Sequence, residues 1–225
     1  LARRRLRLGT LVLRDRTVTA SADEVSALLC QQAAQNLAAG LTWSDACRQL
    51  QARVDLARTR LGRPDLPDLS DAALAKTTGT WLAPWLAGVN RLSALAELDL
   101  LAMLRATMDH ASLKWLDHTL PTHLDLPGGR AGIDYLQPVP VAAARAQTFY
   151  GVTDTPRIAG GTVDLRIALL SPAGRPQAIT ADLAGFWAGS WADMRRDMRG
   201  RYPRHDWPEN PATASPPPPR NPRRA

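Results

Sequence analysis

The stretch "HTLPTHLDLPGGRAGIDYL", residues 118–136, is where the hydrophobic period of this chain changes. Up to Pro121 the run "LSALAELDLLAMLRATMDHASLKWLDHTL" (92–120) reads as helices. After it, "THLDLPGGRAGIDYL" reads as two short strands around Pro127-Gly128-Gly129, a hairpin signal. Helices first and strands afterwards, on one chain, predict an α+β fold.

Working upstream, "SADE" at 21–24 is a capping box that opens a helix through Leu28, Leu29, Ala33 and Leu37 to Gly40. "TWSD" at 42–45 repeats the device, and a second helix follows through Ala46, Leu50, Val54, Leu56 and Leu61 to Gly62. "GRPDLPD" is a connector, Ser70 caps a further short helix, and "WLAPWL" (81–86) leads into the run above. Residues 20–120 are thus expected as a helical layer. Ahead of them, "RRRLRLGTLVLRDRTVTA" alternates Leu6, Leu8, Leu11 and Leu13 with Arg and Thr, which predicts one or two strands with one buried face over residues 1–19. Two strands alone are marginal, so this sheet is expected to need partners outside the sequence.

Working downstream, "VAAARAQTFYGV" (141–152) reads as a short helix, and "GGTVDLRIALLSP" (160–172) as a strand with Val163, Leu165, Ile167 and Leu169 on one face. "RPQAITADL" gives another strand and then a helix capped by Thr180. In that helix Leu183, Trp187, Trp191, Met194 and Met198 form an apolar stripe, and Gly200 ends it. "DMRGRYPRHDWPENP" (197–211) then reads as a strap, with Pro203 and Pro208 keeping the chain extended so that Tyr202 and Trp207 fold back onto the domain. The competing reading is a surface strip for nucleic acid. From Pro211, "PATASPPPPRNPRRA" is expected to be a disordered Pro/Arg tail.

Charge is unevenly spread. The chain carries a net +7, with 28 Lys+Arg of which only Lys76 and Lys114 are lysine. Residues 1–16 hold six Arg against one Asp, residues 17–127 are mildly acidic, and both later segments are basic. Guanidinium groups clamp phosphate bidentately and stack on bases, so this distribution is compatible with nucleic acid. Apolar residues at 45% support a buried core. Cys30 and Cys47 are too few for a zinc site or a disulfide framework, which predicts a reduced, cytoplasmic protein. No run reaches the roughly 18 apolar residues of a membrane span. The sequence opens at Leu1 in mid-pattern and is expected to be a piece of a longer polypeptide.

Catalytic motifs are weak. "LAKTTG" (74–79) has a Lys-Thr without the preceding glycine, and the Gly pairs at 128–129 and 160–161 lack a following Lys-Ser/Thr, so none is a phosphate cradle. The Asp109-His110 and Asp117-His118 pairs place their histidines eight apart, about 80° around a helix, away from metal-ligand pairing. A hydrolase built on them is a remote reading, and no catalytic, cofactor-binding or metal residue is assigned. The candidate nucleic-acid residues are Arg3, Arg4, Arg5 and Arg7 on the first strand, then Arg199, Arg201 and Arg204 near the strap. Each set has a plain alternative: charge that blocks edge pairing for the first, and a solvated helix end for the second.

The blocks "PTHLDLPGGRAGIDY" (121–135), "TDTPRIAGGTVDLRIALLSPAGRPQAITADLAGFW" (153–187) and "MRGRYPRHDWPENP" (198–211) resemble, in order and spacing, the C-terminal region of HrpB-type ATP-dependent helicases, bacterial members of the DEAH/RHA class. "RLGTLVL" and "LSDAAL…WLAPWL" fit the segment just upstream, and Gly185 and Ala188 around the "FW" depart from the pattern. The resemblance implies that residues 1–19 are the last strands of an OB-like barrel. It makes 20–120 a helical region and 121–210 an α+β C-terminal domain, with 211–225 left as tail. It also implies upstream motor domains that use ATP and Mg, with no cofactor in this segment. The implied role is a non-catalytic module that holds or guides single-stranded RNA and packs on the motor. The alternative is a structural module that docks the helicase on a partner, with the Pro-rich tail as a candidate ligand.

Overall fold

The computed structural model describes residues 2–217, and in the first hairpin the side chains of residues 5–16. Two compact units divide the chain, one up to His110 and one from Ala111 onward.

The first unit opens with an antiparallel hairpin of β1 (Ala2–Leu8) and β2 (Leu11–Val18), turned at Gly9, whose φ of 61° lies in the left-handed region. The expected buried face is absent. Leu6, Leu8 and Leu11 are 60%, 69% and 67% exposed, because two strands have no second layer within the described residues to pack against.

Helix α1 (Ala22–Gln35) has both arms of the predicted capping box: Ser21 Oγ accepts from the Glu24 N–H, and the Glu24 carboxylate accepts from the Ser21 N–H. Leu29, Cys30 and Ala33 form its buried face, and burial pushes the Cys30 thiol up from its ordinary pKa. The helix stops short of Gly40. Asn36 leaves helical geometry and its side chain caps α2 (Leu37–Gly40).

Helix α3 (Asp45–Arg60) is capped by Ser44, two residues later than the "TWSD" pattern predicts, since the Thr42 hydroxyl is engaged in donating to the Ala96 carbonyl. Ser70 caps α4 (Asp71–Lys76) as expected. Arg48 on α3 donates to Asp71 at 2.6 Å while stacking 3.9 Å over the Trp43 ring. Burial raises the Asp71 carboxyl, but the hydrogen bonds from Gln51 and Arg48 outweigh it and hold the group below its ordinary value. The short α5 (Thr78–Trp81), 3₁₀ turns at Ala83–Trp85 and Leu92–Glu97, and α6 (Leu100–Arg105) complete the unit. The run 92–120 is therefore short pieces rather than long helices.

Helix α7 (His110–Thr119) begins at the last residue of the first unit and supplies the opening of the second, and the chain then turns to β after Pro121, as the period change requires. β3 (His123–Leu126) and β4 (Gly129–Asp134) form the predicted hairpin. Gly128 is needed there for close approach: a Cβ would sit 2.8 Å from the Thr148 backbone and 2.9 Å from the Gln147 carbonyl. The stretch read as a helix from Val141 is instead β5 (Val141–Arg145) followed by a 3₁₀ turn at Ala146–Phe149. Alanine is the best helix former, but tertiary pairing overrides local propensity: Val141–Arg145 is laddered on both sides, antiparallel to β4 and parallel to β8 (Arg166–Leu170). A small pair, β6 (Arg157–Ile158) and β7 (Val163–Asp164), precedes β8, and β9 (Pro176–Thr180) closes a mixed sheet ordered β3-β4-β5-β8-β9. Val163, Leu165, Ile167 and Leu169 are buried, as their alternation predicts.

The terminal helix is two helices, α8 (Leu183–Ala188) and α9 (Trp191–Arg201). Asp182, not Thr180, caps the first, its carboxylate accepting from the Gly185 N–H at 2.9 Å, and the break falls at Gly189, where φ and ψ are −120° and −87°. The helix also passes through Gly200 before ending at Tyr202. The apolar stripe survives the break: Leu183, Trp187, Trp191 and Met198 are all buried.

Candidate nucleic-acid interface

The strap after α9 is anchored through the backbone carbonyls of Tyr202, Asp206, Trp207 and Pro208. Trp191 Nε1 donates to the Pro208 carbonyl at 2.9 Å, Tyr150 Oη to the Asp206 carbonyl at 3.0 Å, and Arg195 Nε to the Trp207 carbonyl at 2.8 Å. Trp207 Nε1 donates in turn to the Tyr202 carbonyl at 3.0 Å. The rings form one cluster: Trp191 meets Tyr150 edge-on at 5.9 Å, Trp187 edge-on at 5.3 Å and Trp207 tilted at 6.0 Å. Trp207 is only 5% exposed and Tyr202 is half-buried. The indoles spend their faces and their N–H groups inside the domain, which removes them as base-stacking platforms. Of the two readings of this stretch, the geometry favours the strap.

Burial shifts the Tyr150 hydroxyl well above the ordinary tyrosine pKa, and the nearby Asp206 carboxylate adds to the shift. The strap also reaches further than expected. Pro211 is buried and its carbonyl accepts from the Gly151 N–H at 2.9 Å, so the tail does not loosen at that residue. Residues 218–225 lie outside the described residues.

The arginines singled out from the sequence fall in different settings. The side chains of Arg3 and Arg4 lie outside the described residues. Arg5 is ion-paired with its cross-strand neighbour Asp15 at 3.0 Å, and Arg7 is exposed with no carboxylate partner among the described residues. Arg201 pairs with Asp197 one turn earlier at 3.0 Å, whereas Arg199 and Arg204 are exposed and unpaired among the described residues. Arg195, on the same helix, is half-buried and holds the strap, with Glu209 at 3.3 Å. The first set sits on β1 in the first unit and the second on α9 and the strap in the second.

Sequence reading also passed over Tyr150 and Arg166. Tyr150 carried no signal because its partner carbonyl is 56 residues away in sequence. Arg166 stands exposed at the start of β8 with no carboxylate partner among the described residues, and its one sequence cue is its place in an alternating strand. His110, His118 and His123 are exposed, and among the described residues no group of His, Cys, Asp and Glu is placed to hold a metal ion. No helix among the described residues is long and apolar enough to cross a membrane.

Comparison with known proteins agrees with this architecture. The family HrpB_C, ATP-dependent helicase C-terminal, matches residues 81–211. The chain is 37% identical over 216 residues to the ATP-dependent RNA helicase HrpB of Escherichia coli K12, covering 95% of this chain and 27% of that protein. The crystal structure of the E. coli DExH-box NTPase HrpB superposes with a TM-score of 0.82 at 36% identity, over 96% of this chain and 27% of that one. The crystal structure of the E. coli DEAH/RHA helicase HrpB gives a TM-score of 0.72 at 34% identity, over 92% and 27%. The chain thus spans about a quarter of the length of the relatives it matches. Spanning the family's matched region with the strap, the mixed sheet and the helices in order, the chain belongs to the HrpB_C family of ATP-dependent helicase C-terminal regions.

Proposed function

We propose that this chain is the non-catalytic C-terminal accessory module of a bacterial ATP-dependent RNA helicase, where it helps hold or guide single-stranded RNA and packs against the motor. The observation that carries this reading is the 37% identity to an ATP-dependent RNA helicase across 95% of the chain. On this reading β1 and β2 are the closing strands of an OB-like barrel, residues 20–120 a helical region and 121–210 the C-terminal domain. ATP and Mg act in motor domains upstream, and the protein works in the cytoplasm. RNA contact falls to Arg3, Arg4, Arg5 and Arg7 first and to Arg199, Arg201 and Arg204 second. The contribution is electrostatic, since each phosphate neutralised releases counterions.

A second reading, a protein-docking module, is favoured by the exposed Leu6, Leu8 and Leu11, which offer apolar area to a protein surface and nothing to phosphate. One experiment separates the two. Labelled poly-U is titrated against the chain and against a variant with Arg3, Arg5 and Arg7 reversed to Glu, at low and moderate salt. RNA guidance requires the variant to bind more weakly with a flatter salt dependence. Unchanged affinity and slope reject the phosphate-track role of these arginines.

A further inference from the structure

The five-stranded sheet has a core face and an open face. Ile133, Ala142, Ile167 and Leu169 point to the core. Alternation places Asp134, Val141 and Arg166 on the opposite face, aligned in one row because Asp134 pairs with Val141 and Val141 with Arg166. Ile179 of β9, paired with Ala168, shares that face and is 60% exposed. At this end of the sheet Gln137, Pro138 and Val139, from the loop between β4 and β5, wall off a cleft of about 430 Å³, within the size range of small-ligand sites.

The cleft is lined by one carboxylate, Asp134, and one guanidinium, Arg166. The Asp134 carboxylate is already engaged, accepting from the Leu136 N–H at 2.9 Å and from the Gln137 amide at 3.2 Å. Arg166 is exposed and has no carboxylate partner among the described residues, so an arginine stands free beside apolar walls. A guanidinium fork matches phosphate geometry, and apolar side chains can pack against the face of an unstacked base. An extended peptide would seek main-chain hydrogen bonds at a sheet edge. This cleft lies instead on a sheet face built by β4, β5, β8 and the edge strand β9, of which β4, β5 and β8 are laddered on both sides.

We infer that this cleft seats one nucleotide of single-stranded RNA, with Arg166 on its phosphate and Ile179 and Pro138 against its base. The inference rests on the RNA-binding reading above and adds a site in the second unit, distinct from the arginines of β1.

The test uses the whole 225-residue chain and a 12-nucleotide oligoribonucleotide carrying 4-thiouridine, with crosslinks mapped by mass spectrometry. Crosslinks are expected within residues 134–141 or at Ile179. Arg166→Gln should weaken binding about tenfold at low salt and lower the salt slope by about 0.7, the loss of one single-strand phosphate contact. Ile179→Ser should weaken binding without changing the slope, and Arg91→Gln, which breaks only the exposed pair with Glu97, should match the parent. If the oligonucleotide binds but crosslinks elsewhere, and both cleft variants behave as the parent, the cleft assignment is wrong while the RNA reading stands. Absence of any binding at low salt defeats both. Occupation of the cleft by hexaglutamate but not by the oligonucleotide assigns it to a protein partner and overturns the inference.

Discussion

Removing the Trp207 ring tests whether the strap is part of the second unit's core. Trp207 is 5% exposed, tilts against Trp191 at 6.0 Å and donates its indole N–H to the Tyr202 carbonyl. Trp207→Ala deletes the whole payload, which for buried Trp or Phe typically costs about 3–5 kcal/mol. Trp207→Phe keeps most apolar contact and loses one hydrogen bond and part of the ring, for roughly 1–2 kcal/mol. Urea denaturation measures the global loss. Amide exchange at Gly151, whose N–H is held by the Pro211 carbonyl at the far end of the strap, measures local release. If the strap opens on its own, a loss of that size accelerates Gly151 exchange by about two to four orders of magnitude. The reasoning is refuted if the Ala variant loses under about 1 kcal/mol and Gly151 exchanges within tenfold of the parent. Trp207 would then cover the surface without holding it.

Three further outcomes follow from the same geometry. The raised Tyr150 pKa keeps the folded hydroxyl protonated while the unfolded one ionises near its ordinary value of about 10, so stability is full below that pH and falls as pH rises above it. Tyr150→Phe should cost about 1 kcal/mol at pH 7, for the bond to Asp206, and flatten the alkaline limb of a stability–pH curve. Gly128→Ala should destabilise by roughly 1–3 kcal/mol in urea, because the added methyl meets the Thr148 and Gln147 backbone rather than a side chain that can turn away. Asp71 has a lowered pKa in the fold, so its contribution is present above the unfolded value of about 4 and is lost as pH falls through the folded one. Asp71→Asn should therefore reduce the stability difference between pH 6 and pH 3, read from urea midpoints.

Local signals were legible where their physics is local. The Ser21–Glu24 capping box, the Ser70 cap and the hairpin at Pro127-Gly128-Gly129 involve partners within a few residues, and each forms as its pattern requires. The Trp187–Trp191 stripe was equally readable, yet its helix break at Gly189 was not, because both helices present the same face to the core. Thr42 and Thr180 looked like caps from their own neighbourhood. A distant acceptor at Ala96 engages the first, and Asp182 outcompetes the second. Val141–Arg145 shows the same limit: its alanines suit a helix, and only two flanking strands, one of them parallel and more than twenty residues downstream, make it the centre of a sheet.

The candidate site divides along the same line. Residue type alone concentrated cationic charge at Arg3, Arg4, Arg5 and Arg7 and at Arg199, Arg201 and Arg204. Which of them stays free is a matter of pairing: Asp15 takes Arg5 and Asp197 takes Arg201. The caps at Ser21 and Ser70 and the alternation of Val163, Leu165, Ile167 and Leu169, which act over two to four residues, were determined by the sequence itself. The strap's attachment and the cleft beside Arg166 needed the tertiary structure, because each joins groups from strands and loops that only folding brings within hydrogen-bond or van der Waals reach.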